Sequence, residues 1–285
     1  MKQDYMHEIK KYFRNKAAQY DEVDRQLYWR LSDELLKLII KRKIAGEFRL
    51  KRHVRILDAG AGTGRWSLIL FDLLNRKNVK LDFDLLDITK EMLNQAEIKI
   101  KKRNLQDTFR VREKNIEDLS DCPDEIYDIA LSYYNVLSFT TNPKRAIKEV
   151  FKKLKKRGIY TVTVANKYHS YFFNALTDRA SEFETIFDKS KIRFNKKMPY
   201  IHCFTPNGLK KIFQDVGFKE VIIIGFPNFI YPNIEDTYIL GQSQKNQNIL
   251  QDKAIFDKIL NVEYSECFNS DLAARGNSLL VIARK

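Results

Sequence analysis

The chain has 285 residues, 44% of them hydrophobic and 12% aromatic, and this composition excludes a disordered polypeptide. No apolar run approaches the roughly 18–20 residues that a membrane-spanning helix needs, so we predict one compact globular unit with no membrane partner. The net charge of +14 invites a nucleic-acid partner, yet the excess lies within residues 1–199, because nine basic and nine acidic residues follow from Tyr200 onward. Solvated helix ends, such as the lysine-rich stretch 152–157, are the simpler explanation of that charge.

The start of the chain and its cysteines predict a compartment. The first residues lack the apolar stretch of a secretory signal. Cys122, Cys203 and Cys267 form neither a CxxC pair nor a disulfide framework. We therefore predict a cytoplasmic protein without a metal site.

The hydrophobic periodicity changes along the chain. Two helical patterns open it, over about residues 4–19 and 22–45. Short apolar or β-branched runs follow and predict seven strands, at 54–59, 81–86, 109–112, 127–132, 159–164, 220–224 and 279–283. Helical patterns separate most of them, at about 64–76, 89–104, 143–156 and 207–216. This alternation predicts a largely parallel sheet with helices on both faces, which binds its ligand at the carboxyl ends of the strands.

The spacing of these elements also predicts a domain organisation. We expect an N-terminal helical cap over residues 1–50 and an α/β domain over 51–285. Two long intervals, 165–206 and 226–277, interrupt the rhythm of strands and helices. Connections of this length are usually lids or small subdomains.

A glycine-rich turn follows the first predicted strand. Gly60, Gly62 and Gly64 stand after Asp58, where glycines permit a tight turn and a close approach of backbone to ligand. A dinucleotide fingerprint would place its third glycine at position 65, which is an arginine, and no P-loop lysine follows. The turn therefore favours a nucleoside ligand without a pyrophosphate.

The second predicted strand ends in an acidic residue. Asp87 can accept hydrogen bonds from both hydroxyls of a ribose. Capping of the next helix is the alternative role, but Thr89 can serve as that cap.

Several segments, in order, resemble class I S-adenosylmethionine-dependent methyltransferases. They are VRILDAGAGTGRWS (54–67), LDFDLLDITKEML (81–93), NIEDL (115–119), YDIALSYYNVLSF (127–139), RGIYTVTV (157–164), FTPNGLKKIFQDVGFKEV (204–221) and NSLLVIARK (277–285). The resemblance implies a Rossmann-like fold with a seven-stranded, mostly parallel sheet, an N-terminal helical cap and a lid insertion. It implies S-adenosylmethionine as the cofactor and S-adenosylhomocysteine as its product.

The resemblance also implies which residues bind the cofactor. Asp58 and the backbone of Gly60, Gly62 and Gly64 would hold the methionine end, and Asp87 the ribose. The other implied contacts are adenine neighbours, residues on the sulfonium side, and a tyrosine that closes over the cofactor: Ile88, Met92, Asn115, Ile116; Ser132, Tyr133; and Tyr20. Asn115 stands where the family often has an acidic residue, which puts a contact with the adenine amino group in doubt.

The sequence is less informative about the methyl acceptor. The fourth strand ends in Ser132-Tyr133-Tyr134-Asn135 and lacks the N/D-P-P-F/Y tetrad of nucleic-acid amino methylases. The interval 165–206 is rich in aromatic residues, which suits a lid over an organic substrate. The predicted substrate contacts are Tyr134, Asp178, Arg179, Tyr200 and His202, and the candidate catalytic residues are Tyr20, Tyr134, His169 and His202.

Three functions remain in competition at this point. The first is methylation of an N or O atom of a small-molecule or modified-peptide natural product. The second is methylation of tRNA or rRNA, motivated by the basic residues of 1–55 and 145–157. The third is a non-catalytic binding module, which the intact glycine turn and Asp87 disfavour.

Overall fold

The computed structural model describes residues 2–48, 51–77 and 79–285, which build helices on both sides of a central sheet. Its strands are β1 (His53–Ala59), β2 (Lys80–Asp87), β3 (Phe109–Glu113), β4 (Tyr127–Ser132), β5 (Leu154–Asn166), β6 (Lys191–Ile192), β7 (Ile201–Phe204), β8 (Glu220–Phe226) and β9 (Ser278–Arg284). Its α-helices are α1 (Lys2–Arg14), α2 (Leu27–Lys43), α3 (Arg65–Leu74), α4 (Lys90–Lys102), α5 (Pro143–Lys153), α6 (Lys167–Leu176), α7 (Ala180–Lys189), α8 (Pro206–Val216), α9 (Gln244–Leu250) and α10 (Lys253–Glu266).

The sheet has the topology that the alternating pattern predicts. Strands β3, β2, β1, β4 and β5 are neighbours in that order and run parallel. Strand β9 is antiparallel to both β5 and β8. All seven predicted strands are present, and the predicted fold class is confirmed. Strands β6 and β7 were not predicted, because strands of two and four residues are too short to show an alternating pattern.

The strand order reverses beside β1. Strands β2 and β3 extend the sheet on one side of β1, and β4 and β5 extend it on the other. The segments that follow β1 and β4 therefore lead away from each other and leave a crevice above Ala59, Asp87 and Ser132.

Two hydrophobic cores cover the two faces of the sheet. Successive residues of β1 lie in different cores. Ile56 packs in the core with α2, α3 and α4 on one face, and Leu57 packs in the core with α5 and α8 on the other. Two helices of the second face begin at sequences built to start a helix. The side chains of Asn142 and Thr205 accept hydrogen bonds from main-chain amides of the first turn, and a proline follows each of them.

The N-terminal segment differs in detail from its predicted helices. The first helix ends at Arg14, and residues Ala17–Arg25 form a 3-10 helix before α2 begins at Leu27. Side chains of this 3-10 helix bind the glycine turn, so tertiary contacts override the helical periodicity there. Met1, Arg49 and Leu50 of the predicted cap lie outside the described residues, and the division into domains stays a prediction. Among the described helices, none has the length and apolar character needed to cross a membrane.

Candidate active site

The turn after β1 is shaped by backbone geometry that glycine alone adopts readily. Gly60 has φ +101°, and its amide donates to the carbonyl of Leu86 at 2.7 Å. A Cβ atom at Gly60 would lie 2.3 Å from Cγ1 of Val136. The amide of Gly62 donates to Oδ2 of Asp87 at 2.9 Å. The amide of Ala61 also donates to the carbonyl of Leu86, at 2.8 Å, so three successive amides fix the turn to the end of β2.

Substituting Gly60 by alanine is therefore expected to destabilise the protein by about 2 kcal/mol, since both the positive φ and the contact with Val136 are unfavourable for a methyl group. Thermal unfolding of the two proteins measures this difference. Gly46→Ala is the matched control, because a Cβ there meets no atom within 4 Å. Equal melting temperatures for all three proteins would contradict the close packing of the turn.

Two buried carboxylates face the crevice from the ends of β1 and β2. The Asp58 carboxylate accepts a hydrogen bond from Oγ of Ser67 at 2.6 Å and is 2% exposed. Burial raises its pKa to about 7, Ser67 opposes that shift, and the charge of Asp87 adds to it. Burial also raises the pKa of Asp87, whose oxygens accept from the amides of Gly62 and Thr89. Both oxygens of Asp87 keep lone pairs for further donors.

A cavity of about 250 Å³ extends from these carboxylates across the carboxyl ends of β1, β2 and β4. Ten of the predicted cofactor contacts line it: Tyr20, Asp58, Gly60, Gly62, Asp87, Ile88, Met92, Asn115, Ile116 and Tyr133. The other two predicted cofactor contacts, Gly64 and Ser132, lie behind the residues that line the cavity. Gly64 packs against Ala96, and the buried Ser132 hydroxyl donates to the carbonyl of Ala59 at 2.6 Å. The Asn115 side chain accepts from the amide of Glu117 at 2.9 Å and so stabilises its own loop.

Comparison with known proteins decides the family. A family model described as a methyltransferase domain matches residues 50–224, which is more than half of the chain. The chain belongs to the methyltransferase family. It is a class I, S-adenosylmethionine-dependent enzyme, so the predicted enzyme class and cofactor are confirmed and a non-catalytic binding module is not supported.

This methyltransferase is similar to proteins that carry different names. The uncharacterized protein MJ1252 of Methanocaldococcus jannaschii is 29% identical and is matched over 76% of this chain and 78% of its own length. A probable polyketide synthase 42 of Dictyostelium discoideum is 24% identical over 75% of this chain, which spans only 8% of that relative. A solved S-adenosylmethionine-dependent methyltransferase of Thermotoga maritima, titled a possible histamine N-methyltransferase, has a TM-score of 0.53 and 18% identity, with 96% of this chain and 98% of that chain covered. At that identity the structural likeness concerns the fold.

The cavity of the methyltransferase continues into an aromatic chamber. We use this term for the part bounded by Tyr12, Phe13, Trp29, Tyr134, Phe139, Phe194 and Met198. The ring of Phe139 contacts those of Phe13 and Tyr12, with centroids 4.9 and 6.3 Å apart. Loop residues 232–239 close another side, where Nε1 of Trp29 donates to the carbonyl of Asp236 at 2.7 Å. The chamber thus combines residues from the N-terminal segment, the predicted lid interval and the second long interval.

The wall of the aromatic chamber contains a hydrogen-bonded network, which the sequence did not predict. The Arg65 guanidinium pairs with the carboxylates of Asp24 and Asp33, and the Tyr134 hydroxyl donates to the other oxygen of Asp33. Burial raises the pKa of Asp33, although Arg65 and Tyr134 oppose that shift. One signal was available in the sequence, because an arginine in the first turn of a helix opposes the helix dipole and needs an acidic partner.

Tyr134 is held in place by its backbone as well. Tyr134 and Asn135 both have positive φ, 58° and 70°, which is uncommon for residues with side chains. The amide of Tyr134 donates to Oγ1 of Thr163 at 2.6 Å, and that of Asn135 donates to the carbonyl of the same residue. Strained backbone of this kind concentrates at functional sites.

The remaining predicted site residues lie outside the lining of the cavity. His169 on α6 is 3% exposed, and burial lowers its pKa to about 4. Burial and the nearby Lys191 lower the pKa of His202, on β7, to about 4 as well. Arg179 donates to the carbonyl of Phe194 at 2.7 Å, and Asp178 precedes it in the turn after α6. The carbonyl of Tyr200 accepts from the hydroxyl of Tyr5. Their substrate and catalytic roles stay predictions.

Proposed function

We propose that this methyltransferase transfers a methyl group to an N or O atom of a small-molecule or modified-peptide natural product. The observation that carries the proposal is the continuity of one cavity from the glycine turn to the aromatic chamber. Apolar and aromatic walls with a few polar groups suit an organic acceptor and exclude water from the reacting centre. The relative named as a probable polyketide synthase supports an acceptor of this class.

The carboxylates and the glycine turn form the cofactor half of the cavity in this proposal. Asp87 receives the two ribose hydroxyls on its free lone pairs, and Ile88, Met92 and Ile116 form an apolar slot for the adenine. Asp58 and the backbone from Gly60 to Gly62 hold the methionine end. The cofactor supplies an activated methyl group on a sulfonium, so the protein has to align the acceptor and accept its proton.

The pKa of Asp58 gives this arrangement a dependence on pH. Below pH 7 the carboxyl group of the free protein is mostly protonated, and it must release that proton to pair with the ammonium of S-adenosylhomocysteine. Affinity for S-adenosylhomocysteine should therefore rise by about tenfold from pH 6 to pH 8 and then level off. Calorimetric titrations across this range, in buffers of different ionisation enthalpy, measure both the affinity and the proton release. A profile that is as steep in Asp58→Asn as in the wild type would assign the proton to another group.

The network behind Tyr134 provides a path for the proton of the acceptor. The Tyr134 hydroxyl accepts a hydrogen bond from the nucleophilic N–H or O–H while it donates its own proton to Asp33. As the methyl group transfers, the acceptor proton moves to Tyr134 and the Tyr134 proton moves to Asp33. Burial raises the pKa of Asp33, which makes it a better proton acceptor than an exposed aspartate. Arg65 fixes the position of the Asp33 carboxylate and is a positioning residue.

An RNA acceptor is the second candidate, and the placement of the basic residues disfavours it. Of the lysines and arginines described within 1–55 and 145–157, only Lys16 lines the cavity. Others are paired: Lys51 and Lys155 bind Asp128, and Lys153 binds Asp124. These contacts support a structural role for the basic clusters.

The experiment that separates the two candidates supplies the purified enzyme with methyl-labelled S-adenosylmethionine. One reaction contains a small-molecule extract and a peptide fraction, and the other contains total tRNA and rRNA. The proposal expects label in the organic or peptide fraction. Label in RNA alone would overturn it.

A further inference from the structure

One cation in the cavity is not paired with a carboxylate. Three cationic residues line the cavity: Lys16, Arg65 and Lys114. Arg65 pairs with Asp24 and Asp33, and Lys114 pairs with Asp121 at 2.6 Å. Within the described ranges, the Lys16 ammonium forms no ion pair and donates only to the neutral hydroxyl of Tyr12.

The acidic residues that line the cavity bind partners other than Lys16. Asp33 binds Arg65 and Tyr134, and Glu117 accepts from the Thr141 hydroxyl and from the amides of Thr141 and Asn142. Asp58 and Asp87 accept from Ser67 and from main-chain amides, and Asp236 accepts from the amide of Asn233. Lys16 therefore brings a positive charge that the lining carboxylates leave unneutralised.

The surroundings of Lys16 increase the cost of that charge. It lies in the aromatic chamber, with its ammonium 4.1 Å from the ring centroid of Tyr12. Burial lowers its pKa to about 8, and the positive charge of Lys197 acts in the same direction. A cation in such a place is stabilised by an anion that can also accept its hydrogen bonds.

Lys16 lies beside residues of the aromatic chamber. Its hydrogen-bond partner Tyr12 packs, together with Phe139, on a cluster that includes Met198 and Phe194.

From this geometry we propose that the methyl acceptor carries a carboxylate or phosphate group and that Lys16 binds it in the aromatic chamber. The inference rests on the proposed function, because it assigns the chamber to the acceptor. It adds a charge requirement that neither the aromatic lining nor the methyl transfer itself imposes. The Tyr12 hydroxyl, next to the ammonium, is a second donor for the same anion.

The test compares anionic and neutral probes on the enzyme loaded with S-adenosylhomocysteine. The probes are 4-hydroxyphenylacetate, phenyl phosphate and the neutral 4-hydroxyphenylacetamide, with affinities measured by calorimetry or ligand-observed NMR. At least one anionic probe should bind about tenfold more tightly than the amide, and which of the two does so identifies the anion. The preference should vanish in Lys16→Met and persist in Lys11→Met, whose exposed lysine lies on α1, shortly before Lys16 in the sequence.

Every outcome of this test either supports the proposal or overturns it. Equal affinity of the amide and both anions for the wild type, or a preference that survives in Lys16→Met, overturns the proposal. Loss of S-adenosylhomocysteine affinity in Lys16→Met would assign the lysine to the cofactor carboxylate instead, and it overturns the proposal too. Failure of the proposed function is seen separately, as label transfer to RNA alone, and does not depend on the charge of the probe.

Discussion

Replacing Asp87 by alanine is expected to weaken the binding of S-adenosylhomocysteine by about 100-fold. In the proposed cofactor site the substitution removes two charge-assisted hydrogen bonds to the ribose. At the lower end of their range these contribute about 1.5 kcal/mol each, and every 1.4 kcal/mol changes affinity about tenfold. The substitution also frees the amide of Gly62, which the Asp87 carboxylate holds in the turn. Calorimetric titration of the purified proteins measures the loss.

Two further variants separate ligand binding from folding in this experiment. Asp87→Asn keeps the shape and one acceptor oxygen, so its affinity should fall between those of the wild type and of Asp87→Ala. Asp82→Asn is the matched control, because Asp82 is a buried acid near the other end of β2 that binds His53. Unchanged affinity in Asp87→Ala would reduce Asp87 to a structural residue.

Removing the hydroxyl of Tyr134 is expected to lower kcat by about 100-fold, at the lower end of what a positioned proton acceptor contributes. Tyr134→Phe retains the ring, which contacts Trp29 and Trp66, and it leaves the ion pair between Asp33 and Arg65 intact. Affinity for S-adenosylhomocysteine should stay near that of the wild type. Initial rates with the labelled donor, measured against the acceptor fraction identified above, give kcat and KM.

The chain contains a matched control for this network. Tyr127 donates to Asp84 at 2.8 Å, and Arg110 binds the same carboxylate, but none of the three lines the cavity. Tyr127→Phe therefore removes an equivalent buried hydrogen bond and should leave kcat unchanged. An equal loss of kcat in both variants would show that the Tyr134 hydroxyl affects kcat by stabilising the fold and not by accepting a proton. A normal kcat in Tyr134→Phe would exclude the proton path.

The sequence was sufficient to predict the sheet because its signals are local. Each of the seven strands lies within one short contiguous segment, and the glycine turn and the acidic end of β2 lie within single segments too. Burial on both faces explains why β4 is mostly apolar. The 3-10 helix at Ala17–Arg25 was not predicted, because its conformation depends on the contact of Asp21 with Thr63, a residue far away in the sequence.

The proposed acceptor half of the site was harder to predict, because its contacts also join residues that are far apart in the sequence. Asp33 lies within α2 and resembles one more polar residue of a helix, and its importance follows only when Arg65 and Tyr134 converge on it. Lys16 was one of many basic residues near the N-terminus until the fold placed it in an aromatic chamber. Of the aromatic residues predicted to form a lid in 165–206, Phe194 reaches the cavity, whereas Tyr171, Phe183 and Phe187 pack on one another.

The attachment of α1 has a consequence for the retention of ligands in the cavity. This helix supplies Met6, Ile9, Tyr12 and Phe13 to the cavity, yet exposed ion pairs of Lys10 with Glu113 and of Arg14 with Glu91 link it to the rest of the protein. Such pairs contribute at most about 1 kcal/mol each and weaken as salt screens them. We expect rising ionic strength to loosen these two links of α1 and so to shorten the residence time of ligands in the cavity that α1 lines.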